Sequence, residues 1–403
     1  MLYRFRSFCT LVLALGIAPI ACAASAGPDL SQAYNGFGFA LFANLARDNS
    51  GKNTFISPTS IALAVAIAAN GAAGSTQSSM LKTLGAPGAP IDGFDASNKT
   101  LMAELTNPGS DLQFTIANAL WLNKRFTLVP AFVTASRDVF SATAQDLPFG
   151  DASAAQTIND WVDKNTNGRI HEIVDSTNPD DVLVITNAIA MKAKWLVPFE
   201  KEATRDAPFE TASGGHVTVS MMSRNGGYAY ADSGGWQVAR LPYRGDRFAM
   251  YVLLPHKGTP LGDALHSLDR AAFDRLIGGL SQQEIAFAMP RYTATFKAEL
   301  NAPLSHLGMA QAFEPGSADF SNLVAPPQRA YISLVVHRAF VRVDEEGTEA
   351  AAATAITMRA TAIMMPPQKR MIVDRPFLMA IRDDHTKQIL FLGAIYDPEP
   401  PAK

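Results

Sequence analysis

Two short runs bring side chains of catalytic types together. Asp232-Ser233-Gly234-Gly235 has the composition of a serine nucleophile loop, but Ala231 precedes it and no upstream histidine stands in the Ala-His-Cys setting of a matching base. A glycine-rich hairpin turn explains Ser233 better. His171-Glu172-Ile173-Val174-Asp175 falls one ligand short of a zinc-binding helix, because Asp175 occupies the place of the second histidine. There is no phosphate-cradling glycine loop and no cysteine–histidine cluster. An enzyme is therefore not expected, and neither a metal nor an organic cofactor is implied. The formal charge of −3 gives no nucleic-acid footprint, and no basic run on an early helix suggests a glycosaminoglycan site.

The chemistry that remains lies in residues 341–367, VRVDEEGTEAAAATAITMRATAIMMPP. Val341 and Val343 alternate with Arg342 and Asp344, the period-two pattern of a half-buried strand. Glu345, Glu346 and Gly347 interrupt it. Next come Thr348, Glu349, Ala350, Ala351, Ala352, Ala353 and Thr354, with no side chain large enough to anchor a helix and none of the Gly/Ser richness of a linker. Alanine propensity favours a surface helix here. Parity favours a strand: the even positions from 348 to 358 are small or apolar, and the charges of Glu349 and Arg359 fall on the other face.

The elements around this stretch follow from pattern. No low-complexity linker or charge block divides the 403 residues, so 24–403 read as one domain. Residues 1–23 read as a secretory signal, with Arg4 and Arg6 ahead of an apolar run from Phe8 to Ile20 and then small residues; the cut could also fall after Ala26. Cleavage removes both cysteines, Cys9 and Cys22. A secreted or periplasmic location is expected, with a lipid anchor on Cys22 as the alternative. Residues 34–45 have the pattern of an amphipathic helix, and Pro58 with its neighbouring hydroxyls suits a helix start. Residues 114–122 and 187–195 read as strands, 158–170 as a helix ended by Gly168. Between 216 and 256 short strands are expected, broken at Asn225-Gly226-Gly227, Ser233-Gly234-Gly235 and Arg244-Gly245-Asp246. Residues 374–381 and 389–395 read as the last two strands. Asn98-Lys99-Thr100 is a lone glycosylation sequon.

The order of a strand, then Glu345-Glu346-Gly347-Thr348-Glu349, small residues, a variable apolar stretch and Pro366-Pro367 resembles the hinge and reactive-centre loop of the serpins. Other segments are similar in the family's order: Ser57 and Ser60, Lys194-Trp195 with Pro198-Phe199, Met289-Pro290-Arg291-Tyr292, His337, and Pro376-Phe377 with Leu390-Phe391-Leu392-Gly393. The resemblance covers residues 35–397.

It implies an α+β fold of three antiparallel sheets ringed by about eight to nine helices, with an exposed reactive-centre loop at 347–367. It also implies inhibition of serine endopeptidases. A protease attacks the loop, and the cut loop inserts as a new strand of the central sheet, trapping the acyl-enzyme. Glu345 to Thr354 would be the hinge. Ser57, Ser60, Asn187, Trp195 and His337 would control opening of the sheet, with Asn187 as the partner of His337; ordinary buried roles for Trp195 and His337 stay open. The loop length usual in inhibitory members puts the reactive bond at Thr361-Ala362, with Arg359 and Met364 as alternatives. Thr361 suits an elastase- or subtilisin-like target, and a cysteine protease is a further candidate. Lys369, Arg370 and Arg375 are either an exosite or a solvated edge. The protein is expected to be a monomer. A non-inhibitory serpin, acting as carrier or chaperone with a loop that is only a substrate, is the other reading.

Overall fold

The structure, a computed structural model, describes residues 27–106, 112–348 and 369–399. Capping and proline placement set its first helices. Asp29 starts α1 (Leu30–Asp48) by accepting hydrogen bonds from the Ser31 and Gln32 N–H groups. After β1 (Thr54–Ile56), Ser57 caps α2 (Pro58–Gly71), its hydroxyl accepting from the Ser60 N–H, and Pro58 stands where no N–H is needed. Every residue of α2 except Asn70 is buried, so this helix carries no polar stripe and runs through the interior. α3 (Gly74–Thr83) and α4 (Ile91–Thr106) follow. Strands and helices then alternate: β2 (Leu112–Asn123), α5 (Pro130–Phe140), β3 (Thr143–Leu147), α6 (Ala152–Asn165) and β4 (Leu183–Lys194). Four strands come next, β5 (Arg205–Glu210), β6 (His216–Ser233), β7 (Trp236–Pro242) and β8 (Phe248–Pro255). Short helices α7 (Leu261–Leu265) and α8 (Arg270–Gly278) precede β9 (Ser281–Pro290) and β10 (Tyr292–Glu299). The helical turn α9 (Asn301–Leu304) leads towards β11 (Ile332–Val343) and the two-residue β12 (Gly347–Thr348). β13 (Lys369–Ile372), β14 (Phe377–Asp383) and β15 (Ile389–Ile395) complete the described chain.

The α+β class holds, with a difference in how the sheets divide. One hydrogen-bonded network has the order β10-β11-β12-β4-β2-β3; the other runs β1-β15-β14-β8-β7-β6-β9-β13, with β5 also on β6. Among the described residues pairing thus yields two networks where three sheets were expected, and neither is wholly antiparallel: β11–β4, β2–β3 and β13–β9 are parallel. The cause is the length of β6. Its 18 residues pair with β5 at one end, with β9 through the middle and with β7 at the other end. Asn225-Gly226-Gly227, expected as a turn, stays paired with Ala286, Ile285 and Glu284. Gly226 at φ +159° is close enough to extended for the strand to continue. Ser233 does end β6 at a tight hairpin, where Gly234 and Gly235 both take positive φ.

β4 and β11 form a parallel seam. Below β12 they pair directly, from Phe340 beside Ala190 down to Ile332 beside Leu183. The start of α2 lies against one face, as the hydrogen bonds below show. Across the other face, α6 covers a separate apolar cluster in which Ile158 and Val162 pack with Trp121 of β2, Val184 of β4 and Val336 of β11. Trp161 meets Trp121 edge-on at 5.5 Å, and Trp121 Nε1 donates to Thr186 Oγ1 at 2.9 Å.

Candidate functional site

Register places Asn187 of β4 beside His337 of β11, and Asn118 of β2 opposite Asn187 on its other side. Three neighbouring strands thus hold three polar side chains in one row. His337 Nδ1 lies 2.6 Å from Asn187 Oδ1, and His337 Nε2 accepts the Ser57 N–H at 3.3 Å. The second bond settles the tautomer: Nε2 is bare, so Nδ1 carries the proton and donates to Asn187. Asn187 Nδ2 donates to Ser60 Oγ at 2.6 Å, to the Ser60 carbonyl at 3.0 Å, and to Asn118 Oδ1. Ser57, Ser60, Asn187 and His337 are fully buried and Asn118 nearly so. Burial keeps the imidazole neutral, pushing its pKa down to about 3 against the smaller opposing effect of the Asn187 bond. Parting β4 from β11 would break the histidine–asparagine bond and strand polar groups in the interior.

At the end of the same seam, β12 lies between the two strands. Thr348 pairs with Val343 on one side and Ala193 on the other, and Gly347 stands opposite Lys194. Gly347 and Thr348, expected to open the exposed loop, are instead both buried. Residue size permits this. A Cβ on Gly347, at φ +156°, would lie 2.0 Å from the Ala193 carbonyl oxygen and 2.8 Å from Lys194 Cα. Thr348 Oγ1 is 2.6 Å from the Tyr243 hydroxyl, and the Tyr243 ring stacks on Trp195 at 4.5 Å. Trp195 holds the preceding turn by donating its indole N–H to the Asp344 carbonyl and its backbone N–H to the Glu346 carbonyl, both at 2.9 Å.

The acidic residues of this turn are anchored too. The Asp344 carboxylate accepts the Glu346 and Gly347 N–H groups at 3.0 and 3.3 Å, while burial raises its pKa despite these bonds. Glu345 accepts from the Thr204 hydroxyl at 2.7 Å and faces Arg291 at 3.5 Å; Glu346 pairs with Lys201 at 2.6 Å. Gly347→Ala is expected to push β12 out from between its neighbours, because backbone atoms on β4 have nowhere to yield. A loss of about 1–3 kcal/mol in denaturant unfolding, with new proteolytic cutting near residue 347, is the expected result; unchanged stability and cutting would contradict the close approach.

Ser57, Ser60, Asn187 and His337 thus form one cluster, and Trp195, Glu345, Glu346, Gly347 and Thr348 a second one at the seam's end. Glu349, Ala350, Ala351, Ala352, Ala353 and Thr354, the bond Thr361-Ala362 with its alternatives Arg359 and Met364, and the expected signal all lie outside the described residues. Asn118, Tyr243 and Lys201 belong to these clusters and were not singled out by sequence, and Asp344 was read only as a strand position. Asn98, the acceptor position of the lone sequon, is fully buried: it accepts from the Tyr34 hydroxyl at 2.6 Å and donates to the Phe94 carbonyl at 3.0 Å, so it serves the core. Arg375 leaves the exosite set, being buried on the Pro255 carbonyl and paired with Asp374 at 2.7 Å, whereas Lys369 and Arg370 are exposed. His171 pairs with Asp163 at 2.5 Å, and Asp232 faces His256 at 2.7 Å rather than joining Ser233 in a relay.

A family model described as Serpin (serine protease inhibitor) matches residues 32–398. The leukocyte elastase inhibitor of Homo sapiens is 33% identical over 92% of this chain and 99% of its own. Among solved structures, the thermophilic serpin tengpin in its native state is similar at a TM-score of 0.83 and 30% identity, covering 91% of this chain and 94% of that one. Human thyroxine-binding globulin complexed with thyroxine gives a TM-score of 0.86 at 26% identity, covering 92% and 98%.

Proposed function

The chain belongs to the serpin family, and from that premise we propose that it inhibits a serine endopeptidase by letting the enzyme cut its loop and then trapping the acyl-enzyme. Protease inhibition in general is supported by the family and by the relationship to leukocyte elastase inhibitor. The trapping mechanism is supported by β12. The segment leading into the loop already pairs with both β4 and β11, so a severed loop has its first residues in place between the strands it would part.

Insertion would exchange one β11–β4 ladder for two. Each added backbone hydrogen bond contributes about 1 kcal/mol net, while ordering each residue costs about 1–2 kcal/mol, so the backbone alone does not drive it. Burial of Ile356 and Met358, at roughly 1.5–3 kcal/mol each, would tip the balance. Against it stands the buried row of Asn118, Asn187 and His337, which holds the seam closed until the loop is cut. The small residues after Thr348 would keep the first insertion steps free of desolvation cost.

In this reading the reactive bond is Thr361-Ala362, the enzyme elastase- or subtilisin-like, and the protein exported with residues 1–23 removed. Incubation with elastase-, subtilisin-, chymotrypsin- and trypsin-like proteases, followed by denaturing gels and mass spectrometry, tests it. The expected result is an SDS-stable complex with a released peptide beginning at Ala362. Clean cutting of the loop with no complex under any condition would overturn inhibition.

A further inference from the structure

Leu196 and Val197 are 47% and 52% exposed, and Val217 is the one other large hydrophobic residue so exposed among the described residues. Their exposure is built in. The turn that carries them follows Trp195 directly, and the Leu196 N–H donates to the Pro242 carbonyl at 2.9 Å. The Val197 carbonyl accepts from the Arg224 guanidinium. Arg224 is fixed in turn between two rings, 5.2 Å from Phe199 and 4.7 Å from Tyr228. Behind the pair lies a cavity of about 190 Å³, lined by Phe199, Arg224, Tyr228 and Leu241 among others. Two apolar side chains held outward beside a cavity large enough for one side chain have the form of a docking site.

The ends of the loop say what covers it. Thr348, the last described residue before the loop, pairs with Ala193, three positions ahead of Leu196. The chain returns at Lys369 on β13, in the row of Ile285 and Gly226, on the β6–β9 ladder that also carries Arg224 and Tyr228. The patch therefore adjoins both ends of the segment 349–368. Twenty residues tethered at both ends reach at most about half their extended length, roughly 35 Å, from the anchors. An enzyme engaged on the middle of such a bait is held within that distance of this surface.

We propose that Leu196, Val197 and the cavity behind them form an exosite for the target protease, receiving an apolar side chain from its surface away from its active site. The exosite rests on the inhibitory reading and deepens it. It acts on encounter and leaves insertion alone, since the hydrogen bonds described for the two residues run to Pro242 and Arg224 and not to β12 or the polar row.

The test compares wild type with the double variant Leu196→Ser/Val197→Ser against elastase and subtilisin. Association rate and stoichiometry are measured with active enzyme, and affinity with enzyme whose nucleophilic serine is replaced by alanine. The expected result is a tenfold or greater fall in association rate, and a matching loss of affinity for inactive enzyme, with unchanged stoichiometry and thermal stability. Equal rates and affinities for the two proteins would overturn the exosite while leaving trapping intact. A wild type that forms no covalent complex and does not bind inactive enzyme would overturn both. If the double variant converts a dimer to a monomer with no change in rate, the patch is a self-association surface and the exosite is wrong.

Discussion

Thr348→Arg is expected to leave cleavage of the loop intact and to abolish covalent trapping. Thr348 is fully buried between β4 and β11, with its hydroxyl on Tyr243 and the stacked Trp195 ring beyond. An arginine there would bury a guanidinium in the space of a threonine, and the neighbouring Asp344 carboxylate is already engaged by the Glu346 and Gly347 N–H groups, so the cost is several kcal/mol. The net gain from each further inserted residue is near zero on the backbone, so that cost is not recovered early. β12 would leave the seam, and insertion would have to begin again after the cut. On the proposed mechanism the acyl-enzyme would hydrolyse in that interval, turning inhibitor into substrate. The proposed reactive bond, Thr361-Ala362, lies well along the chain from residue 348, so the rate of cutting should be unchanged. Mass spectrometry of the released peptide and a denaturing gel read the two outcomes separately. Thr348→Ser, which keeps the hydroxyl and the small volume, should still trap. A covalent complex of normal stoichiometry from the arginine variant would refute the insertion account.

Local signals made much of this legible, and long-range register hid the rest. Gly347 and Thr348 stand out because small residues interrupt a strand of alternating valines, an oddity visible within a few positions. Ser57 and Pro58 announce a helix start in the same local way. His337 and Asn187 could be paired through the family pattern. Asn118 could not: it sits in a strand otherwise read as apolar, and its place beside Asn187 is fixed only by the β2–β4 register, which also aligns Leu112 with Ala193. Tyr243 lies just ahead of a turn signal and gave no sign of its own, yet it contacts both Trp195 and Thr348. β6 failed for the opposite reason. Asn225-Gly226-Gly227 is a strong local turn signal, but β9 pairs straight through it, so tertiary pairing overrode local chemistry and merged two expected sheets.

Lowering the pH from 7 to 5 is expected to favour opening of the seam by about 2 kcal/mol, roughly 25-fold, through His337 alone. In the closed sheet its pKa is depressed to about 3 from the ordinary 6.5. Opening lets water reach the ring and restores a value near 6.5. Between those values the open form binds a proton that the closed form excludes. Closed-state stability is therefore complete above pH 6.5, and it is lost progressively as the pH falls towards 3. The direction also follows from geometry, because Nε2 accepts the Ser57 N–H and protonating it would set donor against donor. A synthetic peptide with the sequence of residues 349–358 measures opening, since it can enter only between parted strands. Its rate of incorporation should rise steeply between pH 7 and 5 in the wild type. In His337→Gln, which still offers an amide N–H to Asn187 but does not titrate, the rate should be higher at pH 7 and nearly flat across that range. Asp344 is the other group near the seam with a perturbed carboxyl, and it is unchanged in this variant. Its carboxyl is raised in the closed form and would give a slope of the opposite sign, so a slope that survives His337→Gln, like a flat wild-type profile, would remove the histidine from control of the seam.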